Sequence, residues 1–119
     1  MSKVVFRTLD YDAVVARLRQ AVEDELARRP EVREVVLIGS LARGDWSPRS
    51  DADLVVIVDE SEEPVIAFRA QEYLPKRDVG VPVDVFVYTR EEAERWGSRY
   101  GAEVENGLSL YCRPERRLP

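Results

Sequence analysis

The chain has 119 residues, of which 45% are hydrophobic and 34% are charged, a composition typical of one globular domain and not of a disordered segment. A net charge of −5 disfavours binding to nucleic acid through a broad basic surface. With no histidine and one cysteine, the chain lacks Ser-His pairs, His-ligated zinc and internal disulfides. No apolar run approaches the roughly 20 residues that span a bilayer, and the charged start does not resemble a signal peptide. We therefore expect a cytoplasmic protein without a membrane partner.

The first predicted elements are a helix and a buried strand. Residues 4–9 alternate weakly and indicate an edge strand or an extended lead-in. A helix is predicted over residues 11–29, with Asp10 as its N-cap and a proline at its end. Its apolar residues recur at three- and four-residue steps and so form one face: Tyr11, Val14, Val15, Leu18, Val22 and Leu26. Residues 33–39 indicate a buried strand that ends at a glycine.

The middle of the chain continues the alternation of strands and helices. Residues 52–58 are apolar and rich in β-branched side chains, which predicts a strand in a central position of a sheet. Ser61 and Pro64 predict the start of a helix that ends near residue 74. Residues 81–88 indicate a third strand, and its proline suggests the edge of the sheet.

The last third of the chain predicts one helix and a short strand. Thr89 and Glu92 form a capping-box pattern for a helix over about 90–99. We expect Trp96 and Tyr100 to face the core from that helix. Residues 107–112 indicate the last strand, and its cysteine, Cys112, is expected to be a small buried residue. The order of elements predicts an α/β or α+β fold, with helices packed on a small mixed sheet.

A small-residue turn joins the first two strands. Gly39 ends a strand and Ser40 begins a turn or short helix, so backbone N–H groups can approach an anion without an intervening Cβ. The Ser40 hydroxyl and the Arg43 guanidinium could reach the same phosphate oxygens. The P-loop pattern is absent, and a turn that needs glycine for its geometry alone is the alternative. Trp46, in the loop that follows, could stack on a nucleobase or pack on its own domain.

Three aspartates could form a metal site. Asp51 and Asp53 are two residues apart at the start of a strand, so their side chains can point to the same face. Neighbouring carboxylates repel each other unless a cation lies between them, and Mg²⁺ prefers oxygen ligands. Asp84 interrupts an apolar strand, where a charge is costly without a partner. It could complete a metal triad and accept a proton from a hydroxyl; the alternative is an edge-strand aspartate that faces water.

These residues together resemble a known superfamily. Gly39-Ser40 with Arg43-Gly44, the stretch Ser50-Asp51-Ala52-Asp53-Leu54, and a lone Asp84 in a later strand are similar to the nucleotidyltransferase superfamily that includes DNA polymerase beta. The resemblance covers about residues 11–112 and is greatest to the minimal, single-domain members. It implies the polymerase beta-like fold for one domain over residues 1–119.

The resemblance also implies a reaction and its residues. Asp51, Asp53 and Asp84 would be catalytic and would bind two Mg²⁺ ions, with Asp84 activating the acceptor hydroxyl. Gly39, Ser40 and Arg43 would bind the phosphates of a nucleoside triphosphate, which we expect to be ATP. A nucleoside monophosphate would be transferred to a hydroxyl, and pyrophosphate would leave.

Too few residues follow the third aspartate for a helical acceptor domain. The resemblance implies a separate acceptor, a small helical HEPN-type protein, with this chain as the antitoxin of a toxin-antitoxin pair. Two alternatives stay open: a binding module that neutralises a toxin without turnover, and a small-molecule nucleotidyltransferase completed by homo-oligomerisation.

Overall fold

A computed structural model describes residues 10–47, 49–96 and 98–114, so the strand or lead-in predicted over residues 4–9 lies outside the described residues. The elements in chain order are α1 (Tyr11–Ala21), a π-helical turn (Val22–Leu26), β1 (Val32–Ile38), α2 (Ser40–Arg43), β2 (Ala52–Val58), α3 (Ile66–Tyr73), β3 (Val83–Thr89), α4 (Arg90–Glu94), α5 (Ser98–Glu105) and β4 (Leu108–Cys112). In the described ranges, no helix is both long enough and apolar enough to cross a membrane.

The four strands form one mixed sheet in the order β3-β2-β1-β4. β2 is parallel to β3, whereas β1 is antiparallel to both β2 and β4. The prediction of a central position for residues 52–58 is confirmed, because β2 has a neighbour on each side. Among the described strands β3 is at one edge of the sheet, as the proline before it suggests. Helices on a small mixed sheet confirm the predicted fold class.

The two faces of the sheet carry two hydrophobic clusters. The larger core packs α1, the π-helical turn and α3 against one face, with Leu18, Leu37 and Leu54 fully buried. The smaller cluster lies on the opposite face, where Val36 and Val55 pack with other apolar residues that include one from α5. Because side chains alternate along a strand, the apolar residues of β1 and β2 serve both clusters. This is why residues 35–38 of β1 and residues 54–58 of β2 are apolar at every position.

Capping explains where the helices begin. The Asp10 side chain accepts a hydrogen bond from Ala13 N at 3.1 Å, which confirms the predicted N-cap of α1. Thr89 and Glu92 form the predicted capping box of α4. The prediction that Ser61 opens a helix is wrong, because α3 begins at Ile66. The Ser61 hydroxyl instead accepts from the backbone N–H two residues later, and it closes a local turn ahead of the helix.

The predicted single helix over 90–99 is also wrong. α4 ends at Glu94, and a separate helix, α5, begins at Ser98. Trp96 lies in the break between them and is half-buried, with its ring edge-on to that of Tyr88 at a centroid distance of 5.2 Å. Its predicted packing inward is therefore confirmed, whereas the side chain of Tyr100 lies outside the described part of the chain.

Cys112 is exposed, so its predicted burial is wrong. The reason is a β-bulge in β4: Val36 is opposite Ser109, whereas Val35 is opposite Tyr111. The extra residue exchanges the two faces of the strand beyond the bulge. Tyr111 consequently packs against the larger core, and Cys112 is turned away from it.

Candidate active site

The turn after β1 brings the backbone of Gly39 against the carboxylate of Asp53. β1 and β2 are antiparallel, and Ile38 at the end of β1 is opposite Asp53 near the start of β2. Gly39 has φ 81° and ψ −158°, a conformation that essentially only glycine adopts. A Cβ at this position would lie 2.6 Å from Asp53 Oδ2. Glycine is therefore required here both by the backbone conformation and by the neighbouring carboxylate.

The short helix α2 carries the other two predicted phosphate ligands. Ser40 is its first residue, and its hydroxyl oxygen lies 3.0 Å from that of Ser50. Arg43 is its last residue and is largely exposed; its Nε donates to Asp45 Oδ2 at 3.2 Å, and its Nη1 lies 3.8 Å from Glu103 Oε1. The structure thus places Gly39, Ser40 and Arg43 within one turn of chain, directly after β1.

The three predicted aspartates lie at the starts of two parallel strands. Asp53 is directly opposite Asp84 in the register of β2 and β3, and Asp51 precedes β2 by one residue. Asp53 is half-buried, whereas Asp51 and Asp84 are exposed. Burial raises the pKa of Asp53 above its ordinary value, and the negative charges of Asp84 and Asp51 raise this pKa further. The structure therefore brings the three carboxylates close enough to interact.

The carboxylates form an open donor set. Across the described ranges, no group of three or more His, Cys, Asp or Glu side chains is arranged so that it could hold a metal ion. Asp51, just before β2, and Asp84, near the start of β3, are exposed. Oxygen donors in an open arrangement fit Mg²⁺, which retains several waters and is commonly shared with substrate phosphates. The three carboxylates therefore have the ligand chemistry that a divalent ion prefers, but in this arrangement they do not form a group of three metal ligands.

Two further side chains acquire their roles only in the tertiary structure. Glu103 on α5 adds negative charge that also raises the pKa of Asp53. Glu103 cannot be recognised from the sequence, because no helix is predicted there and an isolated glutamate carries no signal of its own. The Trp46 ring stacks on the Tyr11 ring, with centroids 5.8 Å apart and planes 10° from parallel. This contact favours packing on its own domain over stacking on a nucleobase.

The chain matches a known protein family over most of its length. The model of the family described as "Nucleotidyltransferase domain" matches residues 16–109. The chain belongs to this nucleotidyltransferase family. It is also 34% identical, over 62 residues, to a bifunctional uridylyltransferase/uridylyl-removing enzyme of Streptomyces coelicolor. The matched segment is 51% of this chain and only 7% of that enzyme.

Solved structures share the fold at low sequence identity. A protein from Sulfolobus solfataricus, assigned as a nucleotidyltransferase, superposes with a TM-score of 0.63 and 23% identity, over 87% of this chain and 84% of that one. A toxin-antitoxin structure with AMP-PNP superposes with a TM-score of 0.54 and 17% identity, over 83% of this chain and 73% of that one. The nucleotidyltransferase fold thus accounts for nearly all of the described chain.

Proposed function

We propose that this protein is a Mg²⁺-dependent nucleotidyltransferase that transfers AMP from ATP to a hydroxyl group of an acceptor, with release of pyrophosphate. The observation that carries the proposal is the contact between the Gly39 backbone and the Asp53 carboxylate, which is itself opposite Asp84. A turn suited to phosphate is thereby joined directly to a group of carboxylates suited to a divalent cation. This is the juxtaposition that a metal-bound triphosphate requires.

Each residue of the site has a proposed role. The backbone at Gly39, the Ser40 hydroxyl and the Arg43 guanidinium hold the β- and γ-phosphates. Asp51, Asp53 and Asp84 would hold two Mg²⁺ ions, and the bound ions would neutralise charge on the phosphates and acidify the attacking hydroxyl. Asp84, exposed at the edge strand, also accepts the proton of the acceptor hydroxyl.

We propose a separate protein as the acceptor, namely a HEPN-type toxin for which this chain is the antitoxin. Two observations support this. The site is open to solvent at Asp51 and Asp84, so a macromolecular acceptor can reach it, and the fold is shared with a component of a toxin-antitoxin structure that contains AMP-PNP. The reaction is proposed to take place in the cytoplasm, where ATP is available.

The proposal is tested by calorimetric titration of the protein with ATP, with and without Mg²⁺. The double variant Asp51→Asn/Asp53→Asn should lose Mg²⁺-dependent binding. It should also melt no lower than the wild type without Mg²⁺, because two repelling charges have been removed. Asp12 and Asp78 are exposed residues elsewhere, and changing both to Asn provides a control with the same change in charge.

Each outcome of this titration has a definite meaning. Undiminished Mg²⁺-dependent binding in the double variant would show that the metal assignment is wrong. If the wild type binds ATP but adds no AMP to a co-purified toxin, as measured by intact mass, the binding-module alternative replaces the transferase.

A further inference from the structure

The loop between the two halves of the site is closed by a pair of serines. Ser50 N donates to the carbonyl oxygen of Ser47 at 3.0 Å, and Ser47 N donates to Ser50 Oγ at 2.8 Å. The same Ser50 Oγ accepts a hydrogen bond from the Ser40 hydroxyl at 3.0 Å. Ser50, the residue before Asp51, is therefore linked to Ser40, the first residue of α2. This contact spans ten residues of sequence and is not needed to close the turn.

The number of available protons restricts what the two hydroxyls can do. Each serine hydroxyl has one proton and two lone pairs. The Ser47 N–H occupies one lone pair of Ser50 Oγ and leaves the Ser50 proton available. One proton forms the bond between Ser40 and Ser50, and the other proton is free for a third group. Ser40 is the donor in this structure; when both hydroxyls rotate so that Ser50 donates to Ser40, the Ser40 proton is free to be donated to an anion.

We propose that Ser50 is a positioning residue that directs the Ser40 hydroxyl proton towards the triphosphate. This inference rests on the proposed function, because Ser40 needs a phosphate oxygen as its acceptor. The half-buried hydroxyls of Ser40 and Ser50 are partly shielded from competing water. The backbone N–H of Ser47 holds the Ser50 oxygen in place and leaves the Ser50 proton available. Ser50 can therefore donate to Ser40 once a phosphate oxygen accepts the Ser40 proton.

The test measures binding of three probes by calorimetry: AMP-PNP with Mg²⁺, inorganic pyrophosphate with Mg²⁺, and AMP. Ser50→Ala should weaken binding of AMP-PNP and of pyrophosphate about three- to ten-fold, the effect of one hydrogen bond. Binding of AMP, which lacks the β- and γ-phosphates, should be unchanged. Ser50→Thr retains the hydroxyl and should retain the affinity. Ser61→Ala is the matched control. The Ser61 hydroxyl, like that of Ser50, accepts from a nearby backbone N–H, but Ser61 lies outside the site.

A double-mutant cycle separates positioning from general stabilisation. If Ser50 acts through Ser40, the variant Ser40→Ala/Ser50→Ala should bind pyrophosphate no more weakly than Ser40→Ala alone. Losses that simply add would overturn the inference. Ser50→Cys, which keeps the side-chain size but donates weakly, should reproduce the loss and replaces Ser50→Ala if that variant melts early.

The remaining outcomes distinguish this inference from the proposed function. Wild-type affinity in a folded Ser50→Ala variant would overturn the inference and leave the proposed function intact. Equal losses for all three probes would reveal a general loss of structure and would also overturn it. A wild-type protein that binds neither AMP-PNP nor pyrophosphate would overturn the proposed function, and the inference with it.

Discussion

Replacing Gly39 with alanine should damage both the fold and the site, for two separate reasons. At φ 81° and ψ −158°, a residue with a Cβ is strained by about 1–3 kcal/mol. The new Cβ would also lie 2.6 Å from Asp53 Oδ2, so the carboxylate has to move by roughly 1 Å to reach ordinary contact. Its neighbours Asp51 and Asp84 repel it, and a displaced carboxylate cannot retain its place beside a bound phosphate.

Gly44→Ala is the matched control for this change. Gly44 also has a positive φ, 83°, but a Cβ there meets nothing within 4 Å. Its cost is the backbone strain alone, about 1–2 kcal/mol. Both variants should therefore be less stable in urea unfolding monitored by circular dichroism. In a domain of this size each kcal/mol lowers Tm by roughly 4 °C.

Nucleotide affinity distinguishes the two variants. Gly39→Ala should weaken Mg²⁺-dependent ATP binding by at least about ten-fold, since 1.4 kcal/mol of lost interaction suffices for that factor. Gly44→Ala should bind ATP nearly as the wild type does. If Gly39→Ala binds ATP with unchanged affinity, the close approach of this turn to Asp53 has no part in nucleotide binding. The phosphate site proposed at Gly39 would then be wrong.

Two further predictions concern stability. Two arginines hold the pKa of Asp59 at about 2, so its stabilisation should be complete above the unfolded pKa near 4 and be lost as the pH falls towards 2. Asp59→Asn should therefore lower the unfolding free energy at pH 7, by no more than about 1 kcal/mol because the pair is partly solvated, but not at pH 2; an equal loss at both pH values in urea unfolding would contradict this. Arg69 is only 5% exposed and pairs at 2.6 Å with Glu92, which is 36% exposed, so Arg69→Ala should cost about 1–3 kcal/mol. The exposed ion pair between Arg95 and Glu91 is the control, and Arg95→Ala should lower the unfolding free energy by at most about 0.5 kcal/mol. Similar losses of unfolding free energy for both arginine variants would show that burial of Arg69 is not the cause.

Local patterns in the sequence were sufficient to predict much of the fold. The strand predicted over residues 52–58 has the observed bounds, because its β-branched run over residues 55–58 suits a strand with both faces covered. The N-cap at Asp10 and the capping box at Thr89 were likewise predicted, since each involves hydrogen bonds within three residues. Such features depend on neighbours in sequence, so they can be recognised before any tertiary structure is known.

Non-local contacts account for the features that could not be predicted. The exposure of Cys112 depends on a bulge that forms only when β4 pairs with β1. Glu103 reaches the site because α5 packs on the face of the sheet opposite the larger core, and no helix is predicted over those residues from the sequence. Strand order cannot be predicted from local patterns either, since pairing partners are separated by long stretches of chain.

The candidate site shows the same division. The sequence by itself determined its chemistry: a glycine-serine turn, an arginine and three aspartates, without a histidine to share the proton transfer. Only the tertiary structure decided the geometry, because the parallel register of β2 and β3 places Asp53 opposite Asp84. It also decided that Gly39 must lack a side chain, since the antiparallel pairing of β1 with β2 brings the Asp53 carboxylate against its backbone. The residue types are known from the sequence alone, but the distances between them depend on strand pairing, which brings together residues far apart in sequence.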